Sequence, residues 1–249
     1  MLDNATIDGL RALKLDVMAQ GLLDQRGHPD YQSLSFEERL GLLVDREVQA
    51  RENRRLQRCL KSARLREPAV VEDVDFKRRR GLDRHEVLSL AEAHWVTSNH
   101  AVVIVGPTGV GKTYLACALA HSAIRRGHTA LYLRAPRMFD DLAIARADGR
   151  LARLMASWAR VSVLIIDDFL IRPLNADQAA DLLEVIEDRA QLRATILTSQ
   201  LPVALWHEAL GDATIADAVL DRVLQNAHRI ELTGESMRRP VEPKGPTRS

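Results

Sequence analysis

The period of the apolar positions changes along the chain, and the change divides it. Over residues 1–66 the pattern is helical: Leu10, Leu13, Val17 and Leu22/Leu23 recur at steps of three and four. A polar, turn-prone stretch follows from Gln25 to Ser33. Ser35 with Glu38 three residues later is a capping-box pattern, predicting a helix from Phe36 to about Leu65. Further on come short β-branched runs: 101–105 (AVVIV), 129–135 (TALYLRA), 161–166 (VSVLII), 194–199 (ATILTS) and Ile230–Leu232. Helical segments separate them: Tyr114–Arg126 closed by Gly127, then 137–147, 150–160, 177–191, 203–210 and 213–227. In 177–191 the expected inner face is Ala180, Leu183, Ile186 and Ala190. Strands alternating with helices predict a parallel α/β sheet with right-handed crossovers, whose ligands bind at the carboxyl ends of the strands.

Pro68 and the acidic stretch Glu72–Asp75 mark a boundary, predicting a helical domain over 1–66 and a nucleotide-binding domain over 67–237. A short helix is expected within Arg84–His94, and Trp95 reads as a core residue before the adenine-packing alternative. Residues 238–249 carry three prolines and no apolar periodicity, and are expected to lack fixed structure.

Composition adds little beyond exclusions. The 249 residues are 46% hydrophobic with a net charge of +1, so charge distribution rather than total must speak for nucleic acid. Cys59 and Cys117 are too few for a disulfide framework or zinc site and point to a reducing compartment. There is no 18-residue apolar run and no signal-like N-terminus, so a cytoplasmic location without a membrane partner is expected.

The first strand runs into Gly106-Pro107-Thr108-Gly109-Val110-Gly111-Lys112-Thr113, a phosphate-binding loop in its strand–loop–helix setting. Its glycines let backbone N–H groups turn toward phosphate oxygens at a helix N-terminus. Lys112 would neutralise the β- and γ-phosphates, and the Thr113 hydroxyl would ligate Mg²⁺. The third strand ends in Asp167-Asp168, the form of the second nucleotide motif: Asp167 for the Mg²⁺ hydration shell, Asp168 for the attacking water. Asp is one methylene shorter than Glu, so slow basal hydrolysis is expected. Gln200 closes a polar Thr198-Ser199-Gln200 end to the fourth strand and could sense the γ-phosphate. Arg222 could stabilise phosphate charge, often from a neighbouring subunit, or form an intrahelical or surface ion pair.

Two basic segments precede the core. Arg51, Arg54, Arg55, Arg58 and Lys61 share one helix face, opposite Leu56, Cys59, Leu60 and Ala63; Lys77, Arg78, Arg79 and Arg80 follow in a linker. A solvated face and a stripe for DNA phosphates both fit this pattern.

The order of these motifs resembles AAA+ ATPases, and within them the IstB-like transposition helper proteins of insertion sequences, relatives of DnaC helicase loaders. Beyond the phosphate loop, the resemblance is carried by FEERLGLLVDREVQARENRRLQRCLKSARL, VEDVDFKRRRGLDR, VLIIDD, ATILTSQLPVALWHE, TIADAVLDRVLQNAHRIEL and GESMRR. It implies a five-stranded parallel sheet of order 5-1-4-3-2 behind a small α-helical N-terminal domain. It makes Gln200 a first sensor, Arg222 an arginine finger acting on a neighbour's ATP, and Arg238 a second-sensor residue. Leu170 stands where relatives carry Gly. Only 17 residues follow Leu232, so the helical lid common in AAA+ modules is expected to be absent. The implied function is an ATP- and Mg²⁺-dependent homo-oligomer that assembles on duplex DNA, deforms it and stimulates a partner transposase. A helicase loader and an ATP-gated architectural clamp are the alternatives. With aromatics at 4%, duplex is favoured over a single-strand stacking platform.

Overall fold

The computed structural model describes residues 2–237, and these divide into two compact units, one ending at Arg58 and the other beginning at Cys59. Arg238 lies outside the described residues.

In the first unit α1 (Leu2–Ala12) and α2 (Asp16–Gly27) lead through a 3₁₀ turn at Pro29–Ser33 into α3 (Phe36–Ala63), which runs on past the division. The helical spacing of Leu10 to Leu22 does not form one rod, because Lys14 adopts a left-handed φ of 58° between α1 and α2. The reason is electrostatic. Glu47 of α3 is buried, and its carboxylate accepts the backbone N–H of Val17 (3.0 Å) and Met18 (3.2 Å). These are orphan donors of the first turn of α2, and an anion there is favourable. The capping box at α3 forms as expected: Glu38 N–H donates to Ser35 Oγ (3.3 Å) and Ser35 N–H to Glu38 Oε2 (2.8 Å). Arg51, Arg54, Arg55, Arg58 and Lys61 are all exposed along α3.

The second unit is a five-stranded parallel sheet of order β2-β3-β4-β1-β5, formed by β1 (Ala101–Val105), β2 (Ala130–Arg134), β3 (Val163–Asp167), β4 (Ala194–Ser199) and β5 (His228–Glu231). This is the expected order read from the other edge. The connecting helices are α6 (Lys112–Arg125), α7 (Ala135–Ala147), α8 (Leu151–Arg160), α9 (Ala176–Glu187), α10 (Trp206–Leu210) and α11 (Ala213–Leu224), preceded by α4 (Arg84–Ala91) and α5 (His94–Thr97). β3 and β4 are buried at every position, as central strands covered on both faces must be.

The inner face of α9 departs in part from the expectation. Ala179, Leu182 and Val185 are buried together with the expected Ile186, Leu183 is half-buried against the core, and Ala180 is exposed. Asn175 and Gln178 form a capping box that starts the helix at Ala176 and sets its rotation. Just after α9, the buried Arg189 guanidinium donates to Thr195 Oγ1 (3.1 Å), Trp158 O (2.6 Å), Val161 O (3.1 Å) and Ala194 O, pinning the entry ends of the central strands. Trp95 is a core residue whose Nε1 donates to Leu90 O (2.9 Å). No described helix is long and apolar enough to cross a membrane.

Candidate nucleotide site

The strands deliver their carboxyl ends to one pocket of about 520 Å³, lined among others by Thr108, Gly111, Lys112, Thr113, Asp168 and Gln200. The loop from Gly106 to Thr113 bends as a phosphate cradle requires. Gly106 has φ 148° and a Cβ there would overlap Leu232 O; Gly111 has φ 101° and a Cβ would lie 2.6 Å from Arg80 Nη1. Neither position tolerates a side chain without moving backbone or the buried arginine. Lys112 begins α6 and is itself buried, its Nζ donating to Gly106 O and Pro107 O at 2.8 Å each. The ammonium is therefore held inside the curl of the loop, beside the axis along which phosphates would lie.

Asp167 is fully buried at the end of β3 and is met by hydroxyls from three directions. Thr113 Oγ1 donates to it (2.9 Å to Oδ1), as do the Tyr132 hydroxyl (2.5 Å to Oδ2) and Thr198 Oγ1. Burial pushes the Tyr132 phenol well above its ordinary value, with the Asp167 carboxylate adding to the shift, so Tyr132 stays a donor. The Thr113 hydroxyl and Asp167 carboxylate are adjacent hard oxygens at the mouth of the loop. That donor chemistry fits Mg²⁺, which keeps several waters and takes its remaining ligands from phosphate.

Asp168 is turned elsewhere. It has a left-handed φ of 57°, and its carboxylate is engaged by Arg134 of β2 through Nε (2.9 Å) and Nη2 (2.8 Å). Gln200 reaches the loop directly, its Oε1 accepting from Thr108 Oγ1 at 2.6 Å. Leu170 takes a φ of 53° in the same turn, a conformation a glycine adopts at less cost, and it is buried there.

Arg222 is not in this pocket. It lies near the C-terminal end of α11, beside His100, Ala101 and Gln191 at the entry end of the sheet. The length of β1 separates the two ends, roughly 15 Å for five residues. Its partner is Glu187 (2.8 Å) rather than its chain neighbour Asp221.

The basic linker needs a correction. Lys77, Arg78 and Arg79 are exposed, but Arg80 is buried, donating to Val110 O (2.8 Å) and Asp75 O (3.1 Å). A guanidinium packed against the phosphate loop is not available to a DNA backbone. The run of four like charges hid the difference, because Gly81 turns the chain at Arg80 and Thr233 N–H donates to Arg80 O (2.9 Å). In α3, Arg51 and Arg54 are partly committed as well, both donating to Glu47 Oε1 (2.9 and 3.2 Å). Sequence reasoning also passed over Tyr132 and Arg134. They sit two residues apart on one face of β2 at its carboxyl end, the position that singled out Asp167 and Gln200.

The model of the IstB-like ATP binding protein family matches residues 8–244. The chain belongs to that family. An insertion sequence ATP-binding protein of Sinorhizobium fredii, y4pL, is 48% identical over 96% of this chain and 98% of its own length. The IS21 ATP-binding protein of Pseudomonas aeruginosa is 33% identical over 92% of this chain and 85% of its own. Among solved structures, DnaI superposes with a TM-score of 0.57 at 22% identity, covering 71% of this chain and 94% of that one. The DnaC helicase loader superposes at 0.52 and 17%, covering 60% and 87%. These two likenesses concern the fold, which is that of AAA+ proteins.

Proposed function

We propose that this protein is an ATP-dependent transposition helper: it assembles as a homo-oligomer on duplex DNA, deforms it, and recruits and stimulates a partner transposase. The helical region 1–66 contributes DNA and partner contacts, and 67–237 is the ATPase module, acting in the cytoplasm with ATP and Mg²⁺. The observation that carries this reading is the separation of Arg222 from the phosphate loop at opposite ends of one sheet. An arginine at the entry end cannot touch its own ATP, but it fits the role of a finger reaching a neighbour's. ATP would then stabilise contacts that only a second subunit completes, shifting the population toward the assembled state. The exposed basic residues Arg55, Arg58, Lys61, Lys77, Arg78 and Arg79 suit phosphate contacts without base readout.

In this reading Lys112, Thr113 and Asp167 hold the nucleotide and its cation, with Gln200 near the γ-phosphate. The bound cation would neutralise phosphate charge. Hydrolysis resets the assembly and is slow, because Asp168 is engaged by Arg134. Duplex binding with and without ATP tests the scheme. Lys112→Ala is expected to abolish the ATP-dependent part of DNA binding, and retained ATP-gated binding would sink it.

A further inference from the structure

Arg66 lies on the segment that follows α3 and belongs to the wall of the nucleotide pocket together with Lys112, Thr113 and Asp168. Its Nη1 is 3.7 Å from Asp167 Oδ2, the carboxylate oxygen that also accepts from the Tyr132 hydroxyl. The nearby Tyr132 and Asp167 hold the Arg66 guanidinium above its ordinary value. Cys117 on α6 is buried, and burial pushes its thiol up to about 11.

Asp167 therefore faces one cation of the chain while it is also the acid suited to a metal. The Arg66 side chain remains 39% exposed, against 1% for Asp167. Asp167 cannot fully serve two cations, since each is repelled by the other across a single carboxylate.

We propose that Arg66 is a tethered cation that competes with Mg²⁺ for Asp167, so that entry of the metal with the nucleotide displaces Arg66 from the acid. Arg66 is a positioning residue here: it sets how much Mg²⁺ the site requires. The proposal rests on the reading of this pocket as the ATP site.

The test is a Mg²⁺ titration of the full-length protein with a fluorescent N-methylanthraniloyl-ATP probe, read as the Mg²⁺ midpoint of probe binding rather than as turnover. Arg66→Gln is expected to lower the midpoint about threefold to fivefold, the size a partly exposed ion pair supports. Arg66→Lys, which keeps the charge, is expected to stay near the wild-type midpoint. A midpoint that is unmoved or raised in Arg66→Gln, with its thermal melting unchanged, overturns the competition. If Arg66→Gln does not fold, Arg66→Met keeps the aliphatic stem and carries the same expectation. Wild-type protein that binds no probe at saturating Mg²⁺ overturns the ATP-site reading itself, whereas probe binding with an unmoved midpoint overturns only the role of Arg66.

Discussion

Arg134 grips Asp168 through two nitrogens, Nε at 2.9 Å and Nη2 at 2.8 Å, at the carboxyl ends of adjacent strands. Both nitrogens converge on one carboxylate oxygen, Oδ2, and such charge-assisted contacts are stronger than neutral ones and orient the acid. Asp168, proposed to act on the attacking water, is thereby held against β2. Arg134→Gln is expected to raise basal ATP turnover several-fold, while Asp168→Asn removes turnover in both backgrounds. A steady-state phosphate-release assay checks this; turnover that falls in Arg134→Gln would show the arginine to be needed for the chemistry.

Arg222→Ala removes the Glu187 ion pair at the entry end of the sheet and touches nothing in the nucleotide pocket. Its side chain is 35% exposed and its partner 47%, so the pair adds no more than about 1 kcal/mol to stability. Nucleotide affinity of the dilute protein is expected to stay at the wild-type level, while ATP-dependent assembly is lost in sedimentation. Weakened nucleotide binding by the monomer would count against a role in trans.

Arg55, Arg58 and Lys61 are exposed along α3, and Arg51 and Arg54 donate to the buried Glu47. Reversing those three charges is expected to weaken duplex binding and flatten the slope of log affinity against log salt by roughly 2 to 3, at about 0.9 per phosphate contact. A slope that does not move would make this face a solvated surface.

Leu170→Gly sets two effects against each other. The left-handed φ of 53° costs a non-glycine residue roughly 1 to 2 kcal/mol, which glycine would recover. Leu170 is also 5% exposed, and losing a buried leucine costs roughly 2 to 5 kcal/mol. Burial wins, so a lower melting temperature is expected by calorimetry.

Much of this was legible in one dimension. The five strands, the phosphate loop, the acid pair and the polar end of β4 are local patterns, because buried parallel strands must be apolar runs and a phosphate cradle must be glycine-rich. The rule that ligands gather at strand carboxyl ends then placed Lys112, Thr113, Asp167 and Gln200 together, and the geometry agrees.

Charge was where the linear reading ran out. Arg80 stands in a run of four basic residues, yet it alone is buried against Val110, while its neighbours face solvent. Asp167 and Asp168 are consecutive, yet one is met by three hydroxyls and the other is turned by a positive φ onto Arg134. The chain by itself determined which residues could carry charge and where the nucleotide would sit, since both follow from residue type and short-range periodicity. Only the tertiary structure decided which charges are spent inside the protein, because Val110 beside Arg80, Arg134 beside Asp168 and Asp167 beside Arg66 come from segments 30 or more residues away.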